Sequence, residues 1–345
     1  MYEKDGERYF IVDGHIHFWD ASPENQANKY GTGFINCFYD YHRNLSPEEW
    51  VWPLEKFQKY TEDDLIHDLF EVGYVDAGIF QPTYLSDFYN NGFNTTEQDA
   101  AVAEHHPDRK FIVNGAFDPR YGKEGLKAFE ELVKRYDLKG VKLYTAEWKG
   151  DSRGWKLDSP DATMYLEKCQ ELGVRNIHVH KGPTIWPLDR DAFDVADVDE
   201  AATSFPELNF IVEHCGLPRL EDFCWIATQE PNVFAGLAVA IPFIHTRPRY
   251  FAQIVGELCY WIGEDRILFG SDYAIWQPKW LVEKFVDFQI PEDMQSELGV
   301  LTTDVKKKIL GLNAAALYDL EVPAGVGAQT TEAAGAVASD PVSVT

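Results

Sequence analysis

Residues 10–20 read Phe10-Ile11-Val12-Asp13-Gly14-His15-Ile16-His17-Phe18-Trp19-Asp20, and this stretch does most to define the fold. A short apolar, β-branched run that ends in polar residues is typical of a buried strand. Side chains alternate between the two faces of a strand, so His15 and His17 are expected to point the same way. Two imidazoles at this spacing can hold one divalent ion, although two buried, hydrogen-bonded histidines would give the same pattern.

Seven further strand candidates alternate with helical patterns along the chain, as in parallel α/β proteins. Eight strands, each followed by a helix, predict an α/β fold of the distorted (β/α)₈ TIM-barrel type. The strand candidates are Phe10–Phe18, Ala77–Gln81, Phe111–Phe117, Gly140–Tyr144, Asn176–His180, Asn209–His214, Val233–Val239 and Ile267–Ser271. The helix candidates between them are Thr61–Val72, Gly125–Tyr136, Asp161–Leu172, Ala192–Phe205 and Arg249–Ile262.

The segment Ala21–Tyr60, directly after the first strand candidate, breaks this alternation. It is rich in tyrosine, phenylalanine, tryptophan and turn-forming residues, and we interpret it as a long aromatic loop. In a barrel of this type it lies on the carboxyl face, where active sites are built. It is therefore either a lid or subunit contact, or a packed excursion with a small core of its own.

Composition limits the domain organisation and the partners. The chain has 345 residues, 45% of them hydrophobic, which suffices for one barrel domain over residues 1–322. The Ala-, Gly-, Ser- and Thr-rich segment 323–345 is predicted to be a flexible tail. The net charge of −26 argues against nucleic acid and anionic lipid as partners.

Cysteine usage and apolar runs bear on the cellular location. The five cysteines are scattered and form no CxxC pair, which argues against a disulfide framework and a zinc finger. The first eight residues are polar, and no apolar run approaches the roughly 20 residues that span a bilayer. We therefore expect a cytoplasmic protein.

Polar residues end three further strand candidates. His180 closes the strand 176–180, His214 follows Glu213 at the end of the next strand, and Asp272 follows the apolar run 267–269. Core packing explains such residues poorly, and a buried carboxylate such as Asp272 needs a cation or several hydrogen-bond donors. A metal ion, with zinc, manganese and iron all suited to these ligands, gives the whole set one explanation.

These motifs, in this order, resemble the amidohydrolase superfamily over most of residues 9–320. The branch most similar contains aminocarboxymuconate-semialdehyde decarboxylase-like enzymes and lactonases, whose opening is similar to residues 15–20. The resemblance implies a distorted barrel in which His15, His17, His180 and Asp272 bind metal. It also implies that His214 activates water or substrate in a one-metal site, or binds the second ion of a two-metal site.

Lys142, at the end of the strand candidate 140–144, decides between one and two ions. Two-metal members of the superfamily carry a carboxylated lysine on this strand that bridges the ions, so Lys142 completes a two-metal ligand set by resemblance. Many one-metal relatives have an ordinary lysine there, which would pair with Asp272 or with a substrate carboxylate. Both states of Lys142 stay open at this point.

The leading hypothesis is metal-assisted hydrolysis of a small-molecule amide, lactone or related bond. Asp272 would move the proton of the attacking water, and His214 would orient the reacting oxygen. The alternatives are a non-oxidative decarboxylase, a dinuclear iron or iron/manganese oxygenase, and a non-catalytic barrel that pairs with an active subunit. We expect an oligomer of like chains or one formed with a related chain.

Several other residues are weaker candidates for the site. His178 shares a face with His180 but lies deeper, so a hydrogen-bonded core histidine is expected. Cys215 is expected to point away from His214, and a thiol nucleophile is not favoured. A substrate contact, a helix cap or simple packing remain open for His245, Trp148, Trp186 and Trp276.

Overall fold

The computed structural model describes residues 1–327, and its centre is a ring of short parallel strands. An antiparallel hairpin of β1 and β2 precedes the eight strands of this ring, β3 to β10. The strands are β1 (Tyr2–Lys4), β2 (Glu7–Tyr9), β3 (Val12–Ile16), β4 (Ala77–Phe80), β5 (Phe111–Val113), β6 (Gly140–Leu143), β7 (Asn176–His180), β8 (Asn209–Glu213), β9 (Val233–Gly236) and β10 (Ile267–Leu268).

Backbone hydrogen bonds join the strands into a closed order. Strands β3 to β5 form one parallel sheet and β6 to β10 form the other. The Gly115 N–H donates to Gly140 O at 3.0 Å across one seam, and the Gly14 N–H donates to Phe269 O at 3.0 Å across the other. The α/β barrel predicted from the sequence is thereby confirmed, and its strands end together on one face.

Helices cover the outside of the strands. The predicted helix beginning at Thr61 is present, because the Thr61 side chain accepts a hydrogen bond from the Asp64 N–H in a capping box. The helices are α1 (Lys29–Leu45), α2 (Leu54–Gln58), α3 (Glu62–Ile66, continued by π-helical turns over His67–Glu71), α4 (Thr96–His105), α5 (Gly122–Tyr136), α6 (Pro160–Leu172), α7 (Asp197–Ser204), α8 (Leu220–Gln229), α9 (Phe243–Thr246), α10 (Pro248–Ile262), α11 (Pro278–Asp287), α12 (Gln295–Leu298), α13 (Thr303–Lys307, continued by Lys308–Leu312) and α14 (Asn313–Leu317). None of the helices in residues 1–327 has the length and apolarity needed to cross a membrane.

The helix predicted over Ala192–Phe205 is shorter in the structure. A 3₁₀ turn covers Arg190–Phe193, and α7 begins only at Asp197. Between them the Asp194 carboxylate accepts a hydrogen bond from the Ala196 N–H at 3.0 Å. Such a local side-chain bond replaces a helical bond and favours a turn, which is why the helix starts late.

The aromatic segment Ala21–Tyr60 follows the first barrel strand as predicted, but about half of it is helical rather than turn-rich. The Asn28 side chain caps α1 by accepting from the Tyr30 N–H. Phe34 and Phe38, one turn apart on α1, lie 4.6 Å from each other between ring centroids. Their rings contact Phe93 and Trp19, so α1 is docked on the barrel by aromatic packing.

We predict that Phe34→Ala lowers the free energy of unfolding by about 3–5 kcal/mol, because the Phe34 side chain is 0% exposed and its loss leaves a cavity under α1. Urea denaturation measures this change. Trp225→Ala removes a larger side chain that is 64% exposed and should cost less than about 1 kcal/mol. Equal costs for the two variants would show that α1 is not held by this packing.

The predicted tail 323–345 lies outside the described residues from position 328 onward. Before that point, Val326 is 0% exposed and belongs to a small apolar cluster with Phe10, Val12 and Tyr318. The chain therefore remains packed against the amino-terminal end of the barrel beyond the last helix.

Candidate metal centre

The carboxyl ends of the barrel strands bring the residues predicted from the sequence to one cavity. Strand β3 supplies His15, and His17 directly follows this strand. Strands β6 and β7 supply one residue each, and the turns after β8 and β10 supply the others. All six line the same cavity: His15, His17, Lys142, His180, His214 and Asp272. Each of them is less than 5% exposed.

Three of these side chains converge closely enough to share one ion. His15 Nε2 and His17 Nε2 are 3.2 Å apart, and Asp272 Oδ1 lies 3.2 Å from His17 Nε2 and 3.7 Å from His15 Nε2. Their candidate ligand atoms all lie within 4.8 Å of one another. Lys142 Nζ lies 3.1 Å from His15 Nε2.

A second pair of histidines adjoins this group. His214 Nε2 lies 2.9 Å from His180 Nδ1, and His214 Nδ1 lies 3.0 Å from the carbonyl oxygen of Ala238. That carbonyl accepts the proton of Nδ1, so the lone pair of His214 Nε2 faces His180. His214 also lies near the carboxylate, with Nδ1 3.9 Å from Asp272 Oδ2.

The backbone at two of these positions is strained. His214 and Asp272 have φ values of 65° and 58°, in the left-handed region that residues other than glycine rarely adopt. Such strain persists only where the surrounding structure imposes it, and it clusters at functional sites. Here it aims the first side chain after β8 and the carboxylate after β10 into the cavity.

Buried acceptors hold His15 and His17, at the carboxyl end of β3, in one orientation. Glu213 Oε2 lies 2.8 Å from His15 Nδ1, and Asn94 Oδ1 lies 3.1 Å from His17 Nδ1. With the proton on Nδ1 of each ring, both Nε2 lone pairs face the cavity, as in histidines that bind metal. A Cβ at Gly236 would collide with the Glu213 carboxylate, so a glycine is needed there.

Sequence reasoning missed this role of Glu213. Its second oxygen lies 2.6 Å from His178 Nδ1, and His178 Nε2 lies 2.8 Å from the Tyr318 hydroxyl. His178 is thus hydrogen-bonded below the site rather than open to the cavity. A carboxylate at the end of an apolar strand, directly before His214, was the signal that could have identified Glu213.

Burial and mutual charge set the protonation states. Burial lowers the pKa of His15 to about 3 and lowers the pKa of His180 and His214, so these imidazoles are neutral. Burial alone would raise the pKa of Asp272, but its interactions with the neighbouring His15 and His17 outweigh burial and hold this pKa below its ordinary value. Burial lowers the pKa of Lys142 to about 8.

This donor set fits a divalent cation. The Nε2 atoms of His15 and His17 lie 3.2 Å apart, and two such nitrogens repel unless a proton or a cation lies between them. An ionised carboxylate completes the group, and imidazole with carboxylate suits zinc, manganese and iron.

The remaining wall of the cavity is mainly apolar and aromatic. Helix α1 contributes Phe38 and Tyr41, and the Tyr41 hydroxyl donates to Thr184 O at 3.2 Å, which ties α1 to the segment after β7. The segment Ala21–Tyr60 thus forms part of the site. The cavity volume is about 20 Å³, enough for one or two water molecules. A substrate must therefore displace part of this apolar wall.

Two hydrogen-bond donors in this wall have no partner within residues 1–327. They are the Tyr144 hydroxyl and Trp276 Nε1, both buried and both on residues that line the cavity. An unpaired buried donor costs about 1–3 kcal/mol, which a ligand acceptor would recover. The sequence pointed to Trp276 only as a wall and did not single out Tyr144.

The other candidates from the sequence lie outside the cavity wall. His245 packs near the Trp280 ring at 6.0 Å, and Trp148 packs on Tyr30 at 4.9 Å. Trp186 is 52% exposed. The Cys215 thiol donates to Gly236 O at 3.2 Å and so points away from the ligands.

Comparison with known proteins decides the family. The family model described as amidohydrolase matches residues 12–320. The chain belongs to the amidohydrolase family. No curated protein matches this amidohydrolase.

Solved structures share the fold of this amidohydrolase at low sequence identity. An uncharacterised TIM-barrel protein of Bordetella bronchiseptica is 19% identical with a TM-score of 0.69, covering 90% of this chain and 98% of the other. A 2,6-dihydroxybenzoate decarboxylase complexed with 2,6-dihydroxybenzoate is 16% identical with a TM-score of 0.60, covering 91% and 100%. An amidohydrolase of Burkholderia multivorans with bound zinc is 16% identical with a TM-score of 0.57, covering 90% and 100%.

Proposed function

We propose that this amidohydrolase is a metal-dependent hydrolase of a small, uncharged and largely apolar amide, lactone or ester. The observation that carries the proposal is the convergence of an ionised Asp272 with a neutral His15 and with His17 in an apolar cavity that holds two unpaired donors. A carboxylate base, a metal-binding face and donors for a carbonyl oxygen are the groups that acyl hydrolysis needs.

In this proposal His15, His17, His180 and Asp272 hold the ion. His214 binds a second ion or contacts the reacting oxygen. A bound divalent ion would supply polarisation of the carbonyl and acidification of water. The relative with bound zinc supports zinc as the first metal to test.

The chain's own groups then move the proton and hold the substrate. Asp272 is ionised and accepts the proton of the attacking water, which it passes to the leaving group. Tyr144 and Trp276 donate to the substrate oxygen, on which negative charge develops. Burial raises the pKa of Tyr144 well above its ordinary value, so its hydroxyl stays protonated as a donor.

The preference for an uncharged substrate follows from the lining of the cavity. Lys142 is the one lysine or arginine among the described residues that line it, and Lys142 already contacts His15. A substrate with a free carboxylate would have to share this single cation. The apolar side chains of Phe38, Ile185 and Ile275 suit an alkyl or aryl body.

Decarboxylation of an arenecarboxylate is the second candidate. The similar 2,6-dihydroxybenzoate decarboxylase and the position of Lys142 beside the metal-binding face favour it. An iron-dependent oxygenase would need a carboxylated Lys142 and two ions.

We expect the zinc-loaded protein to hydrolyse an uncharged aryl lactone such as dihydrocoumarin, with acid release measured by pH-stat. In parallel, 2-hydroxybenzoate should release no CO₂. Elemental analysis of the same sample names and counts the metal, and mass spectrometry shows whether Lys142 carries an added carboxyl group. Release of CO₂ without lactone hydrolysis would replace the proposal by decarboxylation. Two iron ions with a carboxylated Lys142 would replace it by oxygenation.

A further inference from the structure

A second cavity lies beside the barrel mouth and shares no lining residue with the metal centre. It opens between the segments that follow β4, β5 and β6 and the first turns of α5. Its volume of about 380 Å³ is within the range of small-molecule sites. The proposed function does not use it.

One wall of this side cavity is a packed aromatic cluster. The ring of Phe117 lies 4.8 Å from Tyr165 and 5.2 Å from Phe129 between centroids, and all three side chains are at least nine-tenths buried. Tyr121 stands at the mouth, 53% exposed. Its ring already has one cation on it, with Lys149 Nζ 3.4 Å from the centroid. This wall suits an apolar body with a positive charge.

The lining also contains two carboxylates, Glu97 and Glu147. Glu147 accepts from the Ser86 N–H at 3.0 Å, and Glu97 accepts from the Tyr84 hydroxyl at 2.9 Å. Within residues 1–327, neither forms an ion pair. Both donors are neutral. Glu97 is exposed and solvated, whereas Glu147 is partly buried, so a negative charge on Glu147 lacks a compensating ion pair.

A third carboxylate in the lining, unlike these two, has an ion-pair partner. Asp118 is paired with Arg120, whose Nη2 lies 2.6 Å from Asp118 Oδ2. The other Arg120 donors contact Ser152 and the Glu147 carbonyl rather than the Glu147 carboxylate. Burial, with the repulsion of Asp118, raises the pKa of Glu147 to about 7, against the weaker pull of Arg120 and the Ser86 hydrogen bond. A positively charged ligand would remove this cost.

We propose that the side cavity is a second ligand site that binds a hydrophobic organic cation, such as an arylalkylammonium ion. Its ammonium group pairs with Glu147 and Glu97, and its apolar body lies on Phe117, Phe129 and Tyr165. Two residues that line the metal centre, Thr83 and Tyr144, lie on the same segments as residues of the side cavity. Thr83 directly precedes Tyr84, and Tyr144 lies three positions before Glu147. A ligand here would therefore contact the two segments that hold one side of the catalytic cavity.

Calorimetric titration of the metal-loaded protein with benzylammonium and with benzyl alcohol tests the proposal, because the two probes match in size and differ in charge. We expect benzylammonium to bind at least tenfold more tightly than benzyl alcohol. Glu147→Gln should weaken benzylammonium binding at least fivefold and leave benzyl alcohol binding unchanged. Glu207→Gln removes an equal charge from an exposed position far along the chain and should change neither.

A steric variant shows where the probes bind. Ala128 lines the side cavity on α5 and is exposed, so Ala128→Trp should fold normally, fill the cavity and abolish binding of both probes. Equal affinity for the two probes, or benzylammonium binding that survives Ala128→Trp, would overturn the proposal. Lactone hydrolysis by the Glu147→Gln variant is measured separately, so failure of this site and failure of the hydrolase proposal are distinguishable.

Discussion

His17→Ala is expected to remove most of the metal from the protein and with it the activity. Three ligand atoms converge within 4.8 Å, and His17 Nε2 lies 3.2 Å from both His15 Nε2 and Asp272 Oδ1. When one ligand of a buried site is missing, the two that remain repel each other or take up a proton. The affinity for the metal ion therefore falls by far more than the 10–100-fold typical of losing a residue that only holds a ligand in place. Elemental analysis after dialysis should give less than about a tenth of the wild-type metal content.

The matched control is another buried histidine. His42 is 0% exposed, donates from Nδ1 to Ile275 O and accepts from the Trp52 N–H, and it does not line the cavity. His42→Ala should keep the metal and lower the free energy of unfolding by about 1–3 kcal/mol, because it leaves buried polar groups unpaired. Unchanged metal content in His17→Ala would show that the assigned centre is wrong.

Asp272→Asn should lower kcat by about 10³-fold, within the range for loss of a positioned general base. The amide has nearly the shape of the carboxylate but cannot accept the proton of the attacking water. The amide nitrogen of the variant can donate to His17 Nε2, which lies 3.2 Å from Asp272 Oδ1, so the fold is expected to persist. Steady-state kinetics on the lactone, with metal content measured on the same sample, separates loss of the base from loss of the ion.

Tyr144→Phe is the comparison for this variant. It removes a hydroxyl from the same cavity and leaves every proposed metal ligand in place. We expect a smaller loss of about 10²-fold in kcat, since one hydrogen bond to developing charge is removed. An Asp272→Asn variant no more impaired than Tyr144→Phe would argue against Asp272 as the base.

The residues at the strand ends could be predicted from the sequence, because side chains able to bind a metal stand where the strand pattern ends. His15 and His17 are two residues apart in one strand candidate, and His180, His214 and Asp272 each stand at the end of a further strand candidate. Parallel strands place their carboxyl ends on one face, so residues with no sequence proximity were expected to meet. The cavity that gathers them agrees with that expectation.

The contribution of helix α1 to the cavity wall and the hydrogen-bond partners of the histidines could not be predicted from the sequence. Helix α1 contains Gly31 and Gly33, which lower helix propensity, and its stability comes from aromatic contacts with Trp19 and Phe93 that no local pattern reveals. The partner of His17 is Asn94, 77 positions away in a segment without a strand or helix. Such pairings depend on tertiary packing alone.

The seam between β10 and β3 joins the last barrel strand to the first, and the convergent group His15, His17 and Asp272 lies directly above it. During synthesis on the ribosome, the amino-terminal histidines emerge more than 250 residues before the carboxylate. The nascent chain therefore has no complete binding site until nearly the whole barrel has been translated. We therefore expect uptake of the proposed ion to be a late event in the maturation of the protein.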